Sequence, residues 1–103
     1  MKICFLDNTK FKYSYLDKHS PLLRGAETIL INLTENLKML GHEVTVFNNC
    51  PDDVDNNSSN WFNINKVNKH MNFDIAVANA DMRLLDTITA TKKFIISYSL
   101  QSI

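Results

Sequence analysis

The chain has 103 residues, of which 45% are hydrophobic and 21% are charged, and its formal net charge is zero. This length fits one small domain that can bury a core. The neutral balance gives no electrostatic reason to expect nucleic acid as a partner. No apolar run is long enough to span a bilayer and no signal peptide is recognisable, so a cytoplasmic protein is predicted.

Short apolar runs predict buried parallel strands along the chain. The runs cover residues 2–6, 43–47, 60–64, 73–78 and 93–98. Helical patterns lie between several of them, and strands that alternate with helices form a parallel sheet with right-handed crossovers. The predicted fold class is therefore α/β, with an open, mostly parallel, doubly wound (Rossmann-like) sheet of about five strands.

One amphipathic helix is predicted between the first two strands. Apolar residues recur there at spacings of three and four, so the helix should begin close to Gly25. It should end before Gly41, because glycine readily adopts the left-handed conformation that often follows a helix. Glu27, in the first turn, is interpreted as a favourable partner of the helix dipole. The predicted buried face consists of Ala26, Ile29, Leu30, Leu33, Leu37 and Leu40.

Two shorter helical segments are predicted after the third and fourth strands. Residues 65–72 fit one or two turns, and residues 81–90 fit a short helix that Asp81 caps. No helix follows the last strand, although parallel sheets need cover on both faces. The chain is therefore expected to be a piece of a longer protein or to be completed by a partner. The predicted inward-facing residues of the two segments are Val67, Met71, Leu84, Leu85 and Ile88.

The polar stretches 9–19 and 48–60 are predicted to be surface loops. The second contains Asp53 and Asp55, whose spacing is one by which paired carboxylates hold a cation bound to a nucleotide. The asparagine-rich surroundings are typical of a solvated loop, whereas a hard cation needs several fixed oxygen ligands. We therefore predict no metal site.

The cysteines and histidines predict neither a disulfide nor a metal centre. Cys4 and Cys50 fall on neighbouring predicted strands, and in a cytosolic domain such thiols usually stay reduced. His19, His42 and His70 lie far apart in the sequence and lack the paired spacing of metal ligands.

Polar residues follow the first and fourth predicted strands, where the strand order of a doubly wound sheet reverses. Ligands of open α/β sheets bind at this point, in the crevice beyond the carboxyl ends of the strands. The helix that begins near Gly25 overhangs the same crevice, and its first N–H groups can bind a phosphate. The predicted phosphate-binding residues are Arg24, Gly25 and Ala26, and the predicted crevice residues are Asp7, Asn8, Thr9, Asn79 and Asp81.

Residues 24–28 (RGAET) and 40–47 (LGHEVTVF) contain two motifs that resemble those of a known family, the family 4 glycosyltransferases with the GT-B fold. The N-terminal segment of that family typically shows Gly-Gly-Ala-Glu, a helix, and a Gly-His-Glu-Val strand. This chain resembles the pattern in residues 24–28 (RGAET) and 40–47 (LGHEVTVF), and its first and fourth predicted strands are similar too. It departs from the pattern in Arg24, which replaces the first glycine, and in residues 97–99 (SYS), where the family often has a histidine.

The resemblance implies a retaining transferase that moves a sugar from a nucleotide-sugar donor to a glycan or lipid acceptor, as in polysaccharide biosynthesis. Residues 1–103 would be a partial N-terminal Rossmann-like domain that mainly contacts the acceptor and is inactive alone. The turn at Arg24, Gly25 and Ala26 would approach the donor diphosphate. A C-terminal domain, in cis or in trans, would hold the nucleotide.

The resemblance assigns no catalytic residue to this chain and no cofactor besides the nucleotide-sugar substrate. It allows the full-length enzyme to lie peripherally at the membrane. One alternative stays open, because the chain is small, neutral and poor in glycine. It is a stand-alone or partner-completed α/β binding module of the flavodoxin-like type, without transferase activity.

Overall fold

The structure, a computed structural model, describes residues 1–56 and 59–97 and contains one five-stranded sheet. All neighbouring strands pair in parallel, in the order β3-β2-β1-β4-β5. This is a doubly wound order that reverses between β1 and β4, so the predicted fold class is confirmed. The elements are β1 (Lys2–Leu6), α1 (Gly25–Met39), β2 (Glu43–Asn48), β3 (Trp61–Asn63), β4 (Asn72–Asn79) and β5 (Thr89–Ile96).

Gly41 sets the end of α1, as predicted. Its φ is +96°, a left-handed conformation that glycine adopts without a steric penalty. The Gly41 N–H donates to the Lys38 carbonyl at 3.0 Å, and the His42 N–H donates to the Leu37 carbonyl at 3.1 Å. These two bonds form a Schellman motif, which satisfies carbonyls that the last helical turn leaves free.

The buried face of α1 differs from the predicted one. Ile29 and Leu33 are 44% and 38% exposed, and Leu40 is exposed too. The packed flank is rotated from the predicted apolar stripe and shares only Leu30 with it among its buried residues, so spacing alone did not determine which flank packs on the sheet. The flank that does pack includes two polar residues whose side chains bond within the helix or its cap, which permits their burial. The buried residues of α1 are Glu27, Leu30, Ile31 and Thr34.

The loop before α1 lies at the surface for most of its length, as predicted, but Tyr13 anchors it in the core. Tyr13 is fully buried, and its phenol donates to the carboxylate of Asp7. Its ring meets the edge of the Trp61 ring at a centroid distance of 6.0 Å. The Asn48 amide donates to the Tyr13 carbonyl at 2.9 Å. These bonds satisfy the polar groups that accompany the ring into the core, and they hold the loop over the sheet.

The two short helical segments are 3₁₀ turns rather than longer helices. The first covers Ile64–Lys66, and the second covers Met82–Thr87 after the predicted cap Asp81. The second turn ends early because β5 begins at Thr89, whose N–H donates to the Met71 carbonyl at 3.2 Å. The inward-facing residues of both segments were predicted correctly, since Val67, Met71, Leu84, Leu85 and Ile88 all belong to one apolar cluster.

Strand β5 thus starts four residues before the prediction, and residue 98 of the predicted strand lies outside the described residues. Phe94 pairs with Val77, and Ile95 pairs with Ala78, so the two side chains point to opposite faces of the sheet. Both are exposed, at 52% and 41%. Each face of β5 therefore presents an apolar side chain to the surroundings.

Cys4 and Cys50 are free thiols on opposite faces of the sheet. Cys4 packs in the cluster that contains Leu84 and Ile88, whereas Cys50 packs in the cluster that contains Leu30 and Trp61. Burial raises the pKa of the Cys4 thiol to about 12 and also raises the pKa of Cys50. The neutral thiol is the less reactive form.

We expect the buried Cys4 thiol to make stability depend on pH under alkaline conditions. Its pKa rises from a usual value of 9.0 to about 12 on folding. The folded state therefore favours the protonated thiol, and this contribution is fully present below pH 9.0 and is lost as the pH rises towards about 12. Urea unfolding across that range should show the decline, and a Cys4→Ala variant should show a smaller one. Rapid alkylation of Cys4 in the native protein at neutral pH would contradict its burial.

Within residues 1–56 and 59–97, no helix combines the length and the apolarity needed to cross a membrane.

Candidate functional site

A cavity of about 350 Å³ lies beyond the carboxyl ends of β1 and β4, under the N-terminus of α1. It occupies the point where the strand order reverses, which is where ligands bind in open α/β sheets. Three elements meet there because parallel strands end at the same edge of the sheet and α1 begins above that edge. The lining residues are Asp7, Asn8, Thr9, Arg24, Ala26, Glu27, Asn79 and Ala80.

Arg24 joins the helix side of the cavity to the β1 side. Its Nε donates to Glu27 Oε1 at 2.8 Å, and its Nη2 donates to Glu27 Oε2 at 3.0 Å and to Thr9 Oγ1 at 2.9 Å. The guanidinium also stands over the ring of Phe11 at 5.9 Å. The bonds and charge of Glu27 raise the pKa of Arg24. The arginine charge is thus present but largely matched by one carboxylate.

Glu27 does more than interact with the helix dipole. It is buried, and its Oε1 also accepts the backbone N–H of Arg24 at 3.2 Å. This contact satisfies an N–H group that precedes the helix, as the acidic member of a capping box does. A buried carboxylate is tolerated when it is paired and hydrogen-bonded. Arg24 supplies both the opposite charge and the hydrogen bonds. Glu27 is therefore a structural partner of Arg24 inside the cavity wall.

Asp7 is buried at the end of β1 and is fully engaged by its own loop. One carboxylate oxygen accepts the Tyr13 phenol, and the other accepts the Thr9 N–H at 3.0 Å. Burial, with the nearby carboxylates of Asp7 and then Glu27, raises the pKa of Tyr13. Tyr13 thus stays protonated and remains a donor. Asp7 shapes the cavity wall and gives it negative charge.

Asn8 and Asp81 link the ends of β1 and β4. The Asn8 amide donates to Asp81 Oδ2 at 2.8 Å, and Arg83 Nη2 donates to the same oxygen at 2.8 Å. The Arg83 guanidinium, followed by the Asn8 amide, holds the pKa of the Asp81 carboxyl well below its usual range. Asp81 is therefore an ionised, paired group at the rim of the crevice.

Asn79 and Ala80 form the β4 wall and are unusual in two ways. Asn79 is 5% exposed, and its Oδ1 is buried without a hydrogen-bond partner in the described part of the chain. Ala80 has a φ of 67°, a left-handed conformation that costs a non-glycine residue about 1–2 kcal/mol. Its N–H donates to the Ile96 carbonyl at 2.9 Å. Backbone strain and unpaired buried polar groups concentrate at functional sites.

Gly25 is the first residue of α1, and the fold does not require a glycine there. No atom of the residues that the structure describes lies within 4 Å of a Cβ built on Gly25. The first N–H groups of a helix have no intrahelical acceptor, so the turn at Gly25 and Ala26 offers donors, together with the positive end of the helix dipole. Open space above these donors would allow close approach of a ligand.

The potential metal ligands of the described residues are dispersed. Among residues 1–56 and 59–97, no three histidine, cysteine or acidic side chains stand together so that they could hold a metal ion. Asp55, from the acidic loop, accepts Lys66 Nζ at 2.9 Å and the Asn63 N–H at 3.1 Å. Lys66 is the main cause of its lowered pKa. The carboxylate thus serves to pin the loop to β3.

The structure brings the sequence-predicted site residues together. Six of them line the cavity, Asp81 bonds to one of these, and Gly25 adjoins Ala26. Sequence reasoning missed the roles of Glu27, Tyr13 and Ala80. The spacing of Arg24 and Glu27 by three residues was a usable signal for their pairing. A left-handed alanine leaves no signal in a single sequence.

No family model, curated protein or solved structure matches this chain.

Proposed function

We propose that this chain is the N-terminal, acceptor-side portion of a retaining glycosyltransferase with the GT-B arrangement. Such an enzyme transfers a sugar from a nucleotide-sugar donor to a glycan or lipid acceptor. The observation that carries the proposal is the cavity at the strand-order reversal, with the N-terminus of α1 above it. The motif resemblance at residues 24–28 and 40–47 is the reason for proposing sugar transfer as the reaction.

The helix side of the cavity suits the donor diphosphate. Gly25 and Ala26 present free N–H donors, and the helix dipole adds partial positive charge. Arg24 Nη2 and Nε are already bonded to Glu27 and Thr9, so its remaining N–H groups are the ones free to reach a phosphate oxygen. Such donors stabilise negative charge on a leaving diphosphate without rearrangement.

Arg24 takes the place of the first glycine of the family pattern. Its side chain is held against Glu27 and Phe11 rather than projecting from the turn. The position that must stay free of a side chain is therefore Gly25, and the open space above it satisfies that need.

The proposal assigns the nucleotide to a second Rossmann-like domain, in the same chain or in a partner. The exposed Phe94 and Ile95 on the edge strand β5 support a further packing element, because parallel sheets are usually covered on both faces. The strand order 3-2-1-4-5 differs from the flavodoxin-like order 2-1-3-4-5. This difference disfavours the alternative of a flavodoxin-like module.

The test begins with the gene downstream of the codon for Ile103. We expect a second Rossmann-like domain, in the same frame or in a neighbouring one. The two parts produced together should release nucleoside diphosphate from one member of a nucleotide-sugar panel, whereas either part alone should not. A stop codon without such a domain nearby would count heavily against the proposal. Tight flavin binding by the chain alone would overturn it.

A further inference from the structure

Asn79 has hydrogen-bonding capacity that the protein does not use. The side chain is 5% exposed, it lines the cavity, and its buried Oδ1 has no partner in the described residues. Most buried polar atoms in native proteins are paired, and an exception calls for an explanation. None of the neighbouring polar groups makes that bond in the described residues: Asp7 accepts from Tyr13 and Thr9, and the Asn8 amide donates to Asp81.

The polar groups of the cavity wall limit the chemical class of ligand that could bond to Asn79 Oδ1. A side-chain amide has both an acceptor and donors, and a hydroxyl group can both donate and accept. A phosphate or carboxylate would bond only to the amide N–H groups and would leave Oδ1 unpaired. The β1 wall also carries the carboxylate of Asp7, which repels an anion, whereas Asp81 lies at the rim and is paired with Arg83.

We infer that the β4 side of the cavity holds a neutral, hydroxyl-bearing acceptor, and that Asn79 selects it through bonds to one or two hydroxyl groups. The inference rests on the proposed function and narrows its acceptor from glycan or lipid to the sugar unit of a carbohydrate. The anion-binding donors belong to the helix side, near Gly25, and the hydroxyl-binding amide belongs to the β4 side. The helix side would thus bind the nucleotide-sugar donor, and the β4 side would bind the sugar acceptor.

Binding of small sugars to the isotope-labelled chain tests the inference. The probes are maltose, glucose 6-phosphate and glycerol 3-phosphate, and the readout is the titration of backbone and side-chain amide signals. We expect maltose to shift the signals of Asn79 and Ala80 and to bind more tightly than either phosphate at this wall. Stronger perturbation of Asn79 by the phosphates, or binding of none of the probes, would overturn the inference.

Substitution of Asn79 distinguishes recognition from structural support. Asn79→Leu keeps a similar side-chain size and removes the amide oxygen and the amide N–H groups. Maltose affinity should therefore fall roughly tenfold, the value of one good hydrogen bond. Its melting temperature should stay equal or rise, because an unpaired buried polar group is removed. Asn72→Leu, at the exposed opposite end of β4, is the matched control and should leave affinity unchanged. Unchanged affinity in Asn79→Leu, or a loss of affinity that only accompanies a lower melting temperature, would overturn the inference.

The inference and the proposed function fail separately. Suppose that maltose binds at Asn79 but the protein transfers no sugar when its second domain is present. The proposed function would then be wrong, and the inference would stand. Transfer to a lipid acceptor that does not depend on Asn79 would keep the proposed function and overturn the inference.

Discussion

Replacing Trp61 with alanine should lower the free energy of unfolding by about 3–5 kcal/mol, the usual range for removal of a large buried aromatic side chain. Trp61 is 1% exposed, and its ring contacts both Tyr13 and Tyr15. A domain of this size is stable by about 5–15 kcal/mol in total. The variant should therefore be close to unfolding, which urea titration followed by circular dichroism would measure.

Phe62→Ala provides the control for Trp61→Ala. Phe62 is the next residue of β3, it is half-buried, and it packs in the cluster on the other face of the sheet. We expect a clearly smaller loss of stability, and no effect on the loop that carries Tyr13. If the two variants lost equal stability, the ring of Trp61 would not be the anchor of that loop.

Gly25→Val should lower turnover of the assembled enzyme by about 100-fold, because small misplacements at a reacting centre have effects of this order. The valine side chain would occupy the space above the first N–H groups of α1, where the donor diphosphate is proposed to lie. Stability should change by about 0.5 kcal/mol or less, as for an exposed position without strain, because a Cβ at Gly25 meets no atom of the described residues within 4 Å. Steady-state kinetics and thermal unfolding on the same preparation give both values.

Gly41→Val is the matched control for Gly25→Val, because it should lower stability and leave turnover unchanged. Its φ of +96° disfavours any side chain, so Gly41→Val should reduce stability by about 1–2 kcal/mol or more. Gly41 lies at the far end of α1, and turnover well below the melting temperature should be unaffected. Parallel losses of stability and turnover in Gly25→Val would show instead that Gly25 is only a turn residue.

The central strands β1, β2 and β4 could be predicted because most of their residues are buried or half-buried. The run at β1 is continuous and apolar, the runs at β2 and β4 are mostly apolar, and such runs are typical of parallel strands. The start of β5 was not predictable in the same way, since Thr89, Thr91 and Lys92 are polar and exposed. They belong to the strand because they pair with β4, and pairing is a long-range property that local pattern does not contain.

The candidate site was predicted by topology rather than by a motif of its own. Once β1 and β4 are taken as neighbours in a parallel sheet, the residues after both strands must meet at one edge. The hydrogen bonds and ion pairs of the site could not be predicted, because they depend on side-chain geometry. The matching of Arg24 by Glu27 and the unpaired amide of Asn79 arise only when the loop of Tyr13 and the helix are in place.

The hydrogen bond from the Ala80 N–H to the Ile96 carbonyl ties the cavity to the outer edge of the sheet. Ala80 lines the cavity, whereas Ile96 is the last residue of β5. A displacement at the end of the edge strand therefore reaches the cavity wall through one backbone contact. Ala80 also holds a left-handed conformation, which costs a non-glycine residue about 1–2 kcal/mol. The carboxyl end of β5 is therefore part of the framework that shapes the cavity wall.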